Sequence, residues 1–67
     1  MPLYQCHFFN QEEQVVRVIT LGSSDDRDAR REARILMVRT GRFAGYEVVE
    51  NGRRVDIYHP RLSETSS

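Results

Sequence analysis

Residues 25–40 read DDRDARREARILMVRT, a pattern that predicts one amphipathic helix and, through it, the fold. At about 100° per residue, Ala29, Ala33, Leu36, Met37 and Thr40 fall within one arc of roughly 100°, the width of a single buried stripe. Two alanines let the N-terminal half sit close to a sheet, while Leu36 and Met37 fill a wider gap at the other end. Ser23 or Ser24 is placed to cap the helix, and Ser23 to Asp26 has capping-box spacing. Asp25, Asp26 and Asp28 lie where the dipole favours negative charge, and Gly41 is the expected left-handed stop.

The opposite arc carries Arg27, Arg30, Arg31 and Arg34, with Asp26–Arg30 and Asp28–Arg31 spaced to offset their mutual repulsion. Val38 projects into this arc and Ile35 sits at its edge. Arginine mixed with branched apolar side chains suits a protein contact surface. The plainer alternative is a solvated face whose arginine stems cover apolar neighbours.

Strands are expected on both sides of the helix. Leu3 to Phe9 alternates, with Tyr4, Cys6 and Phe8 as the core set and Leu3, Gln5, His7 and Phe9 facing away. Asn10 to Gln14 is a polar connection of hairpin length. Val15 to Leu21 is rich in β-branched residues, and its facing is ambiguous. Val16 and Val18 form one set, and Val15, Arg17, Ile19 and Leu21 the other, unless a bulge switches them midway. Beyond the helix, Phe43 to Glu50 enters a third strand, and Asn51-Gly52 marks a two-residue type I′ turn. That turn pairs Glu50 with Arg53, Val49 with Arg54, Val48 with Val55, Glu47 with Asp56 and Tyr46 with Ile57. Tyr46, Val48, Val55 and Ile57 then form the apolar face.

The expected fold is therefore α+β: a β-β-α-β-β chain forming a four-stranded antiparallel sheet with one helix on one face. Residues 1–60 form a single domain, and 61–67 (RLSETSS) form a flexible tail after Pro60. One helix covers only one side of such a sheet. Leu3, Phe9, Val49, Tyr58 and either Val15 or Ile19 are left on the far side, where an adjoining apolar set indicates a partner or second subunit.

Composition narrows the function classes. Sixty-seven residues bury a modest core, and association is a common remedy for chains of this size. Ten acidic and ten basic residues give a net charge of zero, unlike the strongly basic balance of a dedicated nucleic-acid binder. Every base is arginine, the side chain suited to bidentate recognition of carboxylate or phosphate. The single cysteine, Cys6, excludes an intramolecular disulfide and fits a reducing cytoplasm. No stretch approaches the roughly 18 apolar residues of a membrane span, and no signal peptide is read before the first strand. A cytoplasmic protein without a membrane partner is the expectation.

Three pieces carry a family resemblance: the opening Tyr-x-Cys-x-Phe-Phe strand at Tyr4–Phe9, Asp25-Asp26 with Ala29 and Ala33 at the helix start, and the Glu50-Asn51-Gly52-Arg53-Arg54-Val55 hairpin. With these the chain resembles a group of very small bacterial β-β-α-β-β proteins of unknown function. The resemblance covers nearly the whole chain before the tail. It implies the fold and brings no catalytic residues.

Residue chemistry offers little for catalysis or cofactors. A metal site needs Cys6, His7 and His59 to converge, yet adjacent strand residues point to opposite faces. Cys6 reads as a small core residue. Ser23 and Ser24 are accounted for by capping, and Glu47 and Asp56 are outer-face neighbours with Arg54 and Arg17 at hand to neutralise them. Pro2, if exposed as an N-terminal amine, invites comparison with the small tautomerases, in which such a proline is a general base. Those chains run directly from first strand to helix, whereas Gln14–Leu21 reads here as an intervening strand. For RNA or DNA the candidates are Arg27, Arg30, Arg31, Arg34, Arg53 and Arg54, against the interleaved Asp26, Asp28 and Glu32.

The leading expectation is a non-enzymatic protein–protein interaction module that forms a homodimer or joins a larger assembly, without cofactor or metal. Its candidate contact residues are Arg27, Arg30, Arg31, Arg34, Ile35, Val38, Val49 and Tyr58. Arginine-mediated nucleic-acid binding is the alternative, followed by proline-based tautomerisation.

Overall fold

The structure is a computed structural model that describes residues 3–59. Pro2, Pro60 and the expected tail at 61–67 lie outside the described residues. Two hairpins flank one helix in the order β1 (Tyr4–Phe9), β2 (Val15–Leu21), α1 (Asp26–Thr40), β3 (Gly45–Glu50) and β4 (Arg53–Tyr58). The strands form one antiparallel sheet in the order β2-β1-β3-β4, giving the α+β architecture that the helix pattern implies. Because β1 lies between them and opposes both, β2 and β3 run parallel. The helix is thus the crossover of a split βαβ unit. It is not long and apolar enough to cross a membrane.

Helix α1 begins one residue later than its sequence pattern, because Asp25 is the cap. Asp25 has extended dihedrals and accepts the Asp28 N–H at 2.8 Å. Neither serine caps. Ser23 is buried and donates to Glu32 Oε2 at 2.9 Å, tying the strand exit to the second turn of the helix. Two residues further on, Asp25 offers a charged acceptor to the same orphan N–H groups. Gly41 ends the helix at φ 61°, its N–H on the Met37 carbonyl at 3.0 Å.

The core forms where the alanine stripe meets the central strands. Tyr4, Cys6, Phe8, Leu21, Ala29, Ala33, Tyr46, Val48 and Val55 are buried, and Ile19, Leu36, Met37 and Phe43 pack against them. Phe8 is its centre, stacked on Phe43 with centroids 4.6 Å apart and edge-on to Tyr46 at 6.2 Å. Burying such side chains stabilises by about 1.5–3 kcal/mol each.

Both edge strands carry a bulge, the one in β2 being an alternative the sequence left open and the one in β4 not foreseen. In β2 the register slips between Phe8 and Phe9, leaving Val16 as the extra residue. Arg17, Ile19 and Leu21 then share the helix side with Phe8, Cys6 and Tyr4, while Val18 and Val15 pair with His7 and Phe9 on the other face. In β4 the Asn51-Gly52 turn forms with positive φ at both residues, and Glu50–Arg53 and Val49–Arg54 pair as expected. Val55 is then an extra residue, so Val48 pairs with Asp56, Glu47 with Ile57 and Tyr46 with Tyr58.

This slip corrects three facings. Ile57 moves out of the expected core to the open face and is 43% exposed. Asp56 moves to the helix side, away from Glu47. Tyr58 joins Tyr46 on the helix side, with ring centroids 5.5 Å apart. An edge strand absorbs such a bulge without disturbing a second ladder, and the aromatic pair it creates replaces an Ile–Tyr contact. Gly45 is buried where β4 leaves the sheet, and a Cβ there would collide with the Tyr58 carbonyl.

Candidate functional site

The described residues present four surfaces with chemical character, and the arginines divide unequally among them. The first joins the helix start to β1, β3 and β4. Arg53 sends two parallel bonds to Asp26, Nη2 to Oδ1 at 2.9 Å and Nη1 to Oδ2 at 3.2 Å, and also reaches Glu50 Oε1 at 2.9 Å. Tyr4 donates its hydroxyl to the same Asp26 at 2.8 Å. Bonds from Arg53 and then Tyr4 hold the Asp26 carboxyl below its ordinary range. The bond to Asp26, with burial, pushes the Tyr4 phenol up to about 12. This is a latch between β1, α1, β3 and β4, made of charge-assisted bonds of the stronger kind. Asp26 therefore pairs with Arg53, and the helix-internal ion pairs Asp26–Arg30 and Asp28–Arg31 do not form among the described contacts.

The second surface is the helix flank beside β4, where the sequence concentrates arginine. Arg27, Arg30, Arg31 and Arg34 line a groove of about 260 Å³ with Tyr46 and Asp56. Arg30 reaches the carbonyl of Val55, the extra residue of the bulge, at 3.5 Å. Burial and then Asp56 raise the Tyr46 phenol, while Arg34 beside it pulls the other way. A neighbouring hollow of about 320 Å³ is lined by Arg34, Met37, Val38, Tyr46 and Tyr58. Val38 is 78% exposed and Ile35 nearly half exposed. Asp25 and Asp28 line a further groove with Arg27 and Arg31. Positive charge on this flank is thus interleaved with acids on both sides.

The third surface is the sheet face opposite the helix. Across the strands it runs Val18, His7, Glu47, Ile57, with Thr20, Gln5, Val49, Arg54 in the row above and Val15, Phe9, Gly45 in the row below. Leu3 adjoins by alternation. Glu47 and Arg54 are paired at 2.6 Å, so the interior of this face carries no net charge. At its margin Glu13 Oε1 lies 2.9 Å from His59 Nε2, an ion-pair distance without hydrogen-bond geometry. The His59 ring is tilted beside Phe9 at 6.3 Å.

The candidate contact residues therefore do not form one site. Arg27, Arg30, Arg31, Arg34, Ile35, Val38 and Tyr58 belong to the helix side, and Val49 to the open face. Arg53 and Arg54, proposed for phosphate contact, are held by carboxylates. Cys6 is buried and its thiol is pushed up to about 12 by burial, the state of an unreactive core residue. Among the described residues no His, Cys, Asp and Glu group converges as metal ligands do.

Three arginines that sequence spacing did not single out stand apart. Arg17, Arg39 and Arg42 meet at the other end of the helix with no ion pair to a described carboxylate. The available signal was a pair of acid-free runs, 14–24 and 33–46, which contain all three.

Compared with known protein families, curated proteins and solved structures, the chain shows no match.

Proposed function

We propose that this protein is a small non-enzymatic interaction module whose open sheet face associates with the same face of a second copy. One observation carries the reading: Leu3, Phe9, Val15, Val18, Val49 and Ile57 lie on a face that no element of the described chain covers, Val15, Phe9 and Val18 adjoining at one end and Val49 and Ile57 at the other, with His7 and Glu47 between them. Scattered exposed apolar residues need no partner, whereas apolar groups sharing one uncovered sheet face suit one.

Charge and area favour a second copy over a large foreign surface. With Glu47 and Arg54 already paired, stacking two such faces brings no like charges together. Four strands about 4.8 Å apart and six residues of about 3.3 Å give a plate of roughly 19 by 20 Å. Two such plates bury about 760 Å² between them, below the range of standard specific interfaces and within that of weak, transient ones. The expected dimer is accordingly of micromolar rather than nanomolar affinity, and its sheets pack about 10 Å apart.

Sedimentation equilibrium tests it directly. Over about 10–500 µM, a range that brackets micromolar dissociation, the apparent mass should rise from the 7.9 kDa chain toward twice that value. A chain that remains monomeric throughout sinks the reading.

A further inference from the structure

From the geometry we infer a nucleotide-phosphate site at the C-terminal end of the helix, formed by Arg17, Arg39 and Arg42. The three side chains arrive from different elements: Arg17 from β2, Arg39 from the last helical turn and Arg42 from the loop into β3. With Val16, Thr40 and Phe43 they line a cavity of about 500 Å³ that contains no acidic residue. None of the three makes an ion pair or side-chain hydrogen bond among the described residues. The acid nearest Arg17 in sequence, Glu13, is turned to His59.

The contrast with the other arginines gives this cluster its meaning. Arg53 and Arg54 are fixed by Asp26, Glu50 and Glu47. Arg30 serves a backbone carbonyl, and Arg27 and Arg31 share their groove with Asp25 and Asp28. Exposed guanidinium groups that line one groove without an internal anion are free to take an external one. Their fork geometry matches phosphate oxygens bidentately. The helix end, ordinarily hostile to anions, is blunted: Gly41 N–H and the Thr40 hydroxyl both donate to the Met37 carbonyl, at 3.0 and 3.3 Å.

An aromatic platform distinguishes a nucleotide from a bare anion. Phe43 stacks on Phe8 through one face and also lines the cavity. A base resting against Phe43 and Val16 would leave its phosphate among the three arginines. That pairing of cationic groove and aromatic surface is how single strands are held without sequence preference. The phosphate is carried either by a free mononucleotide or by one unit of a single strand.

Two titrations separate these sources: backbone-amide NMR with a mononucleotide, and fluorescence anisotropy with a labelled oligothymidylate of about ten nucleotides. Mononucleotide shifts confined to Val16, Arg17 and residues 39–43, with equal affinity for both ligands, assign a free nucleotide. Tighter oligonucleotide binding that weakens about tenfold between 50 and 200 mM salt assigns a strand making two to three phosphate contacts. Arg17→Gln with Arg42→Gln should weaken either ligand about tenfold or more, whereas Arg27→Gln with Arg31→Gln should change it less than about twofold. Arg39→Gln alone, at an exposed helix position, gives the same reading if the double variant does not fold. The site is overturned if neither ligand binds at about millimolar concentration, if loss of Arg17 and Arg42 has no effect, or if polyglutamate competes as well as the oligonucleotide.

Discussion

On the helix side of β1, Tyr4, Cys6 and Phe8 are buried, while on its other side Gln5, His7 and Phe9 remain half open. The two faces come from the same strand by simple alternation. What separates them is that α1 covers one and no described element covers the other. The covered face has the alanine stripe of α1, the Phe8 stack and the Asp26 latch behind it. The open face has comparable apolar side chains and one internal ion pair. Fold stability should therefore reside on the first face and association on the second.

The strongest way to break that contrast is to truncate matched aromatics. Phe8→Ala removes the centre of the core, and such truncations cost about 3–5 kcal/mol. A domain of this length holds only roughly 3–10 kcal/mol, so circular dichroism should show a chain that is largely unfolded or melts far below the parent. Phe9→Ala, measured where the chain is monomeric, should cost about 1 kcal/mol or less. Equal losses at the two positions would mean that the open face is as structural as the closed one. Gly45→Ala belongs with Phe8→Ala, because its Cβ meets the Tyr58 backbone, which cannot swing aside.

Next in size is association. Ile57→Arg and Val18→Arg place a charge on the open face at positions 43% and 51% exposed. Each should raise the dimer dissociation constant about tenfold or more, equivalent to about 1.4 kcal/mol. The melting temperature of the monomer should move little. Val38→Arg, on the far side of the helix, is the control, and a matching loss there would relocate the contact surface to α1.

These contrasts also show which parts of the fold could be read from the chain. Helix, strands, hairpin turn and core alternation are local patterns, and Ala29, Ala33, Tyr4, Cys6 and Phe8 announce them by period alone. The Val55 bulge is not local. It depends on Tyr58 finding Tyr46 across the ladder and on Gly45 admitting the close approach, and one slipped residue exchanges Ile57 for Tyr58. The cap was misplaced because Ser23 and Asp25 both suit that role, and only the pairing of Ser23 with Glu32 decides between them. Among surface charges, linear spacing emphasised Arg27, Arg30, Arg31 and Arg34 of α1, which share their grooves with Asp25, Asp28 or Asp56. Arg17, Arg39 and Arg42 are brought together by a strand, a helix end and a loop, so proximity in sequence could not assemble them.

The helix cap sharpens the comparison from the covered side. Asp25→Ala removes the acceptor for Asp28 N–H and should cost about 1 kcal/mol in urea denaturation. Ser24→Ala should be neutral, since Asp25 holds the cap. A larger loss at Ser24 than at Asp25 would reassign it.

The smallest effect is a change of slope with pH, and it isolates the latch. The Tyr4 phenol rises from its ordinary 10.0 to about 12 on folding, so the folded state retains that proton more tightly. Its contribution is complete below pH 10 and is lost as pH climbs from 10 toward 12. The buried Cys6 thiol acts in the same direction from pH 9.0 toward about 12. Asp26 has the opposite sign: its carboxyl is held low, so its contribution is present above the ordinary carboxylate range and disappears as acid protonates it. Tyr4→Phe keeps the ring but deletes the donor. The alkaline fall in urea midpoint should become shallower, leaving the Cys6 part, and the acid fall should become smaller and level off at higher pH, because Asp26 has lost one of its two hydrogen-bonding partners. Parallel curves for parent and variant at both ends would show that the Tyr4–Asp26 bond contributes nothing to holding β1 against the helix start.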